Sequence, residues 1–131
     1  MTPFNTFLQA LGAAGIDLTS GAFEMLFVTG YVPQAGDGQH DFENDITGAG
    51  GTIVHRQAVA GVTWVGRVLD APDFVVNDPG AGTATYAILI KSAGTAATNR
   101  LIAYHDITDI TFDGVNDQFR FNASGIFKIG A

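Results

Sequence analysis

The run Tyr86-Ala87-Ile88-Leu89-Ile90 is apolar at every position. A β-strand turns alternate side chains to opposite faces, so a strand with this run offers no polar face to water. It must lie centrally, covered on both sides by its own chain or by a partner. The rest of the chain supplies the layers. From Ala22 onward short segments rich in Val, Ile, Phe, Tyr and Thr alternate with clusters of Gly, Asp, Asn and Pro, the pattern of strands and turns. Strands are predicted over Ala22 to Thr29, Thr52 to Ala60, Val62 to Asp70, Phe74 to Val76, Thr83 to Lys91, Arg100 to His105 and Gln118 to Ile129. About seven strands in so short a chain imply a mainly β domain, a β-sandwich or barrel.

The last predicted strand alternates most regularly. Phe119, Phe121, Ala123, Phe127 and Ile129 share one face, and Gln118, Arg120, Asn122, Ser124 and Lys128 the other. Gly125 falls on the apolar face and marks a bend or bulge. Within Val62 to Asp70 the same period puts Trp64, the single Trp, on one face with Val62 and Val68 as a core residue. A short N-terminal α-helix precedes the strands. Thr2 is its expected N-cap, Pro3 its first residue, Phe4, Phe7, Leu8 and Leu11 its apolar stripe, and Gly12 and Gly15 its end. That stripe is expected to pack on the domain's own sheet.

A length of 131 residues fits one domain spanning residues 1–131. Zero cysteines exclude disulfide scaffolds, thiolate metal sites and thiol nucleophiles. Thirteen Asp and Glu against six Lys and Arg, a formal charge of −7, argue against nucleic acid or an anionic membrane as partner. No run is long and apolar enough for a membrane helix, and the N-terminus lacks the pattern of a signal peptide.

Catalytic and metal motifs are absent from the sequence. There is no Gly-x-Ser-x-Gly, no His-Glu-x-x-His and no phosphate-cradling glycine loop. His105 and Asp106 are adjacent on a strand, where they point to opposite faces. Glu24 and Glu43 could serve as an acid–base pair only if the fold brought them together. No catalytic residue, cofactor or metal is therefore expected. The aperiodic segment Gly30 to Gly51 holds Asp37, Asp41, Glu43 and Asp45 around His40. A solvated acidic loop is the ordinary reading of such a run, and a calcium site the alternative. A connection of this length is usually functional or mobile. Its Tyr31 and Phe42, with Phe4 of the helix, are the expected apolar anchors for a partner.

Three stretches stand in order along the chain: Asp70-Ala71-Pro72-Asp73-Phe74, then Tyr86 to Lys91 with Gly94-Thr95-Ala96-Ala97-Thr98 and Leu101 to Asp106, then Phe119 to Ile126. With Ile16-Asp17-Leu18 and Tyr31-Val32-Pro33 before them, the order resembles a family of small structural proteins encoded among the head and tail genes of tailed bacteriophages. The likeness covers roughly Phe4 to Ile129; the family's Gly-Tyr-x-x-Gly-Gly element is reduced here to Gly48-Ala49-Gly50-Gly51. The resemblance implies a virion component and not an enzyme. Acidity favours the outer capsid surface, since packaged DNA repels it. The expected function is capsid decoration (a cement protein), with the major capsid protein and further copies of itself, a trimer for instance, as partners. A tail or tail-tip component is the alternative. The expected location is the virion, and the host cytoplasm during assembly.

Overall fold

The computed structural model describes residues 1–12, 16–35, 39–121 and 125–128. In chain order its elements are β1 (Thr2–Pro3), α1 (Asn5–Gly12), β2 (Ala22–Thr29), α2 (Asn44–Gly48), β3 (Thr52–Val59), β4 (Thr63–Val65), β5 (Val68–Asp70), β6 (Phe74–Val76), β7 (Thr83–Ser92), β8 (Arg100–Thr111), β9 (Asp117–Phe119) and β10 (Phe127–Lys128). Five strands form an antiparallel sheet in the order β1-β8-β7-β2-β3, beside a three-stranded sheet β10-β5-β4 and a two-stranded ribbon β6-β9. The domain is mainly β and sandwich-like, with a short helix near its N-terminus.

The apolar run sits where its composition requires. β7 is flanked by β2 and β8, and Ala87, Ile88, Leu89 and Ile90 are all buried. Register defines the two faces: Leu26, Ile88 and Tyr104 lie side by side in one row, and Met25, Leu89 and Ala103 in the next. The first face takes the N-terminal segment, where the Phe4 ring meets Tyr104 edge-on at 5.1 Å. The second takes the ribbon. Phe27 contacts Phe112 at 5.6 Å and Phe119 at 6.0 Å, and Phe119 stacks on Phe74 at 5.2 Å. Leu69 and Ile126, from the small-sheet region, join the same buried cluster.

The structure corrects three sequence expectations. Thr2 is not an N-cap, because Thr2 and Pro3 pair with Tyr104 and Ala103 as an edge strand and the helix starts at Asn5. Proline has no N–H to donate, which an edge tolerates. The Val62 to Asp70 segment is a hairpin, not one strand. Gly66 and Arg67 both have positive φ (58° and 64°), the two-residue turn whose twist matches its flanking strands. Trp64 therefore pairs with Leu69 and Val65 with Val68, so Trp64 and Val68 lie on opposite faces. The Gln118 to Ile129 strand is also divided. β9 ends at Phe119 and pairs with β6, whereas β10 pairs with β5 in another sheet. Gly125 stands at the break with φ 101°, and a Cβ there would lie 2.6 Å from Val68 Cγ1. Gly15, Asp37, Asn122 to Ser124 and Ile129 lie outside the described residues.

Candidate functional site

The connection between β2 and β3 is tied to its surroundings by side chains that its aperiodic sequence disguised. His40 Nδ1 accepts the Gln34 N–H at 3.1 Å, so the nearby Tyr31 hydroxyl, 2.6 Å away, donates to it as well. The His40 carbonyl accepts the Thr6 hydroxyl at 2.6 Å. Gln34 binds the Asn5 N–H at 2.6 Å and the Tyr104 hydroxyl at 3.2 Å, linking α1 to β8. Burial, reinforced by the Asp45 charge, raises the Tyr31 hydroxyl well above the usual tyrosine range.

The acids of this connection have structural partners. Glu43 is buried and holds the Arg56 guanidinium at 2.9 Å. Its Oε1 accepts Asn99 Nδ2 at 3.1 Å, and its N–H donates to the Asn99 carbonyl at 2.8 Å. Arg56 also reaches Glu24 at 3.4 Å. The fold thus does bring Glu24 and Glu43 together, around one guanidinium. Asp45 Oδ2 accepts the N–H groups of Asp41 at 2.8 Å and Phe42 at 3.1 Å. Burial alone would raise Asp45, but those two bonds, with a side-chain bond from Asp41 and the nearby His40, outweigh it and hold the carboxyl below its ordinary value. Asp41 moves the other way, through burial and its bond to Asp45. The expected solvated loop is in this part a set of internal braces. Among the described residues no three His, Asp or Glu side chains converge as a metal site would require.

A group whose folded pKa lies below its unfolded value stabilises fully above the ordinary carboxylate range and loses that contribution as pH falls toward the folded value. Asp45 is such a group. Asp45→Asn is therefore expected to lower stability at neutral pH by about 1 kcal/mol, as weakening a charge-assisted hydrogen bond does, and to narrow the gap from the unmodified chain in acid. Denaturant titrations at neutral and acid pH would measure this; an equal gap at both would show that the Asp45 charge is not what matters.

Of the three expected anchors, the structure buries two. Phe4 is 0% and Tyr31 2% exposed within this chain's own core, so neither is presented to a partner. An amphipathic segment and a loop aromatic found their partners in Tyr104 and His40 instead. Phe42 is half-buried at the margin of a cleft. The Arg100 guanidinium lies 4.4 Å from its ring centroid, a cation–π contact. Phe42, Arg100, Lys91, Thr98, Ala93, Asp17 and Ile16 line this open cleft of about 220 Å³.

Lys91 and Arg100 are direct register partners on β7 and β8. Like charges placed opposite one another are ordinarily unfavourable. The nearest acids act on them from beyond ion-pair distance, Asp17 on Lys91 and Asp41 on Arg100. The Lys91 ammonium donates to the Asp17 backbone carbonyl. The Asp17 carboxylate itself accepts from Ser20 Oγ, Thr19 Oγ1 and the Thr19 N–H, which keep it well below the usual range. Sequence reasoning missed this cation pair. Its signal was the placing of Lys91 and Arg100 as last and first residues of consecutive predicted strands.

Among the described residues the large apolar side chains that remain exposed lie elsewhere: Val65 at the β4–β5 turn (74%), Val115 before β9 (65%), Val32 (60%) and Val75 on β6 (52%), and to a lesser degree Ile110 on β8 and Leu8 on α1. His105 and Asp106 are exposed on opposite faces of β8. None of the protein-family models, curated proteins and solved structures compared with the chain matches it.

Proposed function

We propose that the chain is a structural protein of a tailed-bacteriophage virion, and within that class a capsid decoration protein on the outer surface of the expanded head. The sequence resemblance motivates this reading. The observation that carries it is where the exposed apolar side chains lie. Val65, Val75 and Val115 stand on turns and on an outer ribbon, not around a polar pocket, while the acids of the connection brace the fold. Exposed apolar side chains at separate turns and strands suit a protein that binds neighbours. Its mechanism is mass action: binding only the assembled, expanded lattice stabilises that lattice. The partners are the major capsid protein and further copies of this chain, and the role is binding without catalysis.

The test is co-sedimentation of the purified chain with expanded heads lacking it, beside isolated tails. Saturable binding to heads is expected, at a stoichiometry set by lattice axes. Replacing Val65 and Val75 by serine is expected to weaken it about tenfold or more, since a few buried anchors dominate such interfaces, with the fold unchanged by circular dichroism. Binding to tails alone would assign the chain to the tail.

A further inference from the structure

Val32 to Ala35 form a turn closed by the Ala35 N–H on the Val32 carbonyl at 3.2 Å, with Pro33 at its first central position and Gln34 at its second. Gln34 has φ 60°, the left-handed value that a type II turn ordinarily gives to glycine. Hydrogen bonds at both ends of the residue hold it there. Its N–H donates to His40 Nδ1 at 3.1 Å. Its side-chain oxygen accepts the Asn5 N–H at 2.6 Å, and its amide nitrogen donates to the Tyr104 hydroxyl at 3.2 Å. His40 adds a second tie to the same helix, its carbonyl accepting the Thr6 hydroxyl at 2.6 Å. The β2–β3 connection is thus fastened to the first turn of α1 through Gln34 and His40, and the bond between those two ends on one imidazole nitrogen.

That nitrogen serves only while it carries no proton. It receives two donors, the Gln34 N–H and the Tyr31 hydroxyl at 2.6 Å, so a neutral ring keeps its proton on Nε2. A proton on Nδ1 turns the shared acceptor into a third donor. The Tyr31 oxygen, which the Gln34 N–H also reaches, can accept it only by turning its own proton away, and Tyr31 is buried. One of the three hydrogens then loses its acceptor, which is costly away from water.

We propose that His40 is a proton-operated latch: protonation of its Nδ1 releases Gln34, and with it the β2–β3 connection, from α1. The closed latch keeps Nδ1 free of a proton and the open one does not, so acid favours opening. The charged groups around it are Asp45 of α2, Asp41 beside it, and Arg100 of β8 next to Asp41; α1 brings the uncharged Asn5 and Thr6, and β8 the Tyr104 phenol. Asp45 favours an imidazolium through space, its carboxylate being engaged by the Asp41 and Phe42 N–H groups and the Asp41 side chain. The left-handed Gln34 works for opening, since freeing its N–H lets the turn relax. The latch goes beyond the reading above and is independent of what the chain binds.

Hydrogen exchange of the full chain, followed by NMR across the titration of the His40 ring, tests it. Protection of the Gln34 and Asn5 amides, corrected for the intrinsic effect of pH, is expected to fall roughly three- to tenfold as His40 gains its proton, the equilibrium weight of one hydrogen bond. The Ile88 and Leu89 amides of β7 are expected to keep theirs. His40→Asn places an amide oxygen where Nδ1 stood and cannot titrate, so its Gln34 and Asn5 amides are expected to stay protected over the same range. Asp45→Asn, with His40 intact, is expected to keep the fall. A fall that persists in folded His40→Asn, or disappears in Asp45→Asn, would assign the effect to Asp45 and overturn the proposal. Unchanged protection in the parent chain through the His40 titration, or unfolding of the whole chain before it, would overturn it as well.

Discussion

Phe27→Ala is expected to be the most damaging single truncation, costing about 3–5 kcal/mol, the range for deleting a large buried aromatic. Phe27 lies on β2, 3% exposed, on the face turned to the ribbon. Its ring meets Phe112 at 5.6 Å, Phe119 at 6.0 Å and His55 at 6.0 Å. Through Phe119 it reaches Phe74, so one side chain joins the main sheet to the β6–β9 layer. Removing it forfeits the transfer energy of the ring and leaves a void bordered by aromatics too large to collapse inward. Urea unfolding followed by circular dichroism would measure the loss. Val65→Ala, at a side chain 74% exposed, is the control and should stay within about 0.5 kcal/mol of the parent. A Phe27→Ala loss near that of the control would mean that the layers do not depend on this contact.

Sequence patterning succeeded where burial imposes a period and failed where a dihedral or a distant partner decides. β2 spans the expected Ala22–Thr29, and β6 the expected Phe74–Val76. β7 was legible as a central strand because burial on both sides leaves only apolar residues at Ala87 to Ile90. The β4–β5 hairpin was not, since Val65-Gly66-Arg67-Val68 carries apolar flanks and its turn puts an arginine at positive φ. Alternation counts residues, so it ran unbroken through Gly125, where the backbone leaves one sheet for another.

The site was less legible for a related reason. An aromatic in an aperiodic segment is exposed or buried according to what meets it. Tyr31 is met by His40 and Phe42 by Arg100, 58 residues away. Glu43 read as one acid among four; its role depends on Arg56 of β3 and on Asn99, the residue before β8.

That last interaction carries the second large effect. Arg56→Ala is expected to destabilise the chain by about 2–4 kcal/mol, somewhat under the cost of breaking a fully buried ion pair because the Arg56 side chain is itself 38% exposed. The loss comes less from the missing attraction than from the Glu43 carboxylate, left at 7% side-chain exposure with Asn99 as its remaining side-chain hydrogen-bond partner. Glu43→Gln in the Arg56→Ala background should therefore recover part of the stability, by removing the stranded charge while keeping an acceptor for Asn99. A double variant no more stable than Arg56→Ala would show that buried charge is not the source. The effect should also reach the cleft. Glu43 immediately follows Phe42, and its N–H and carboxylate fasten the segment to Asn99, the neighbour of Arg100. Loosening that fastening frees the Phe42 ring from the guanidinium it lies against, so Arg56→Ala should shift the ring resonances of Phe42 in an NMR spectrum although Arg56 itself does not line the cleft.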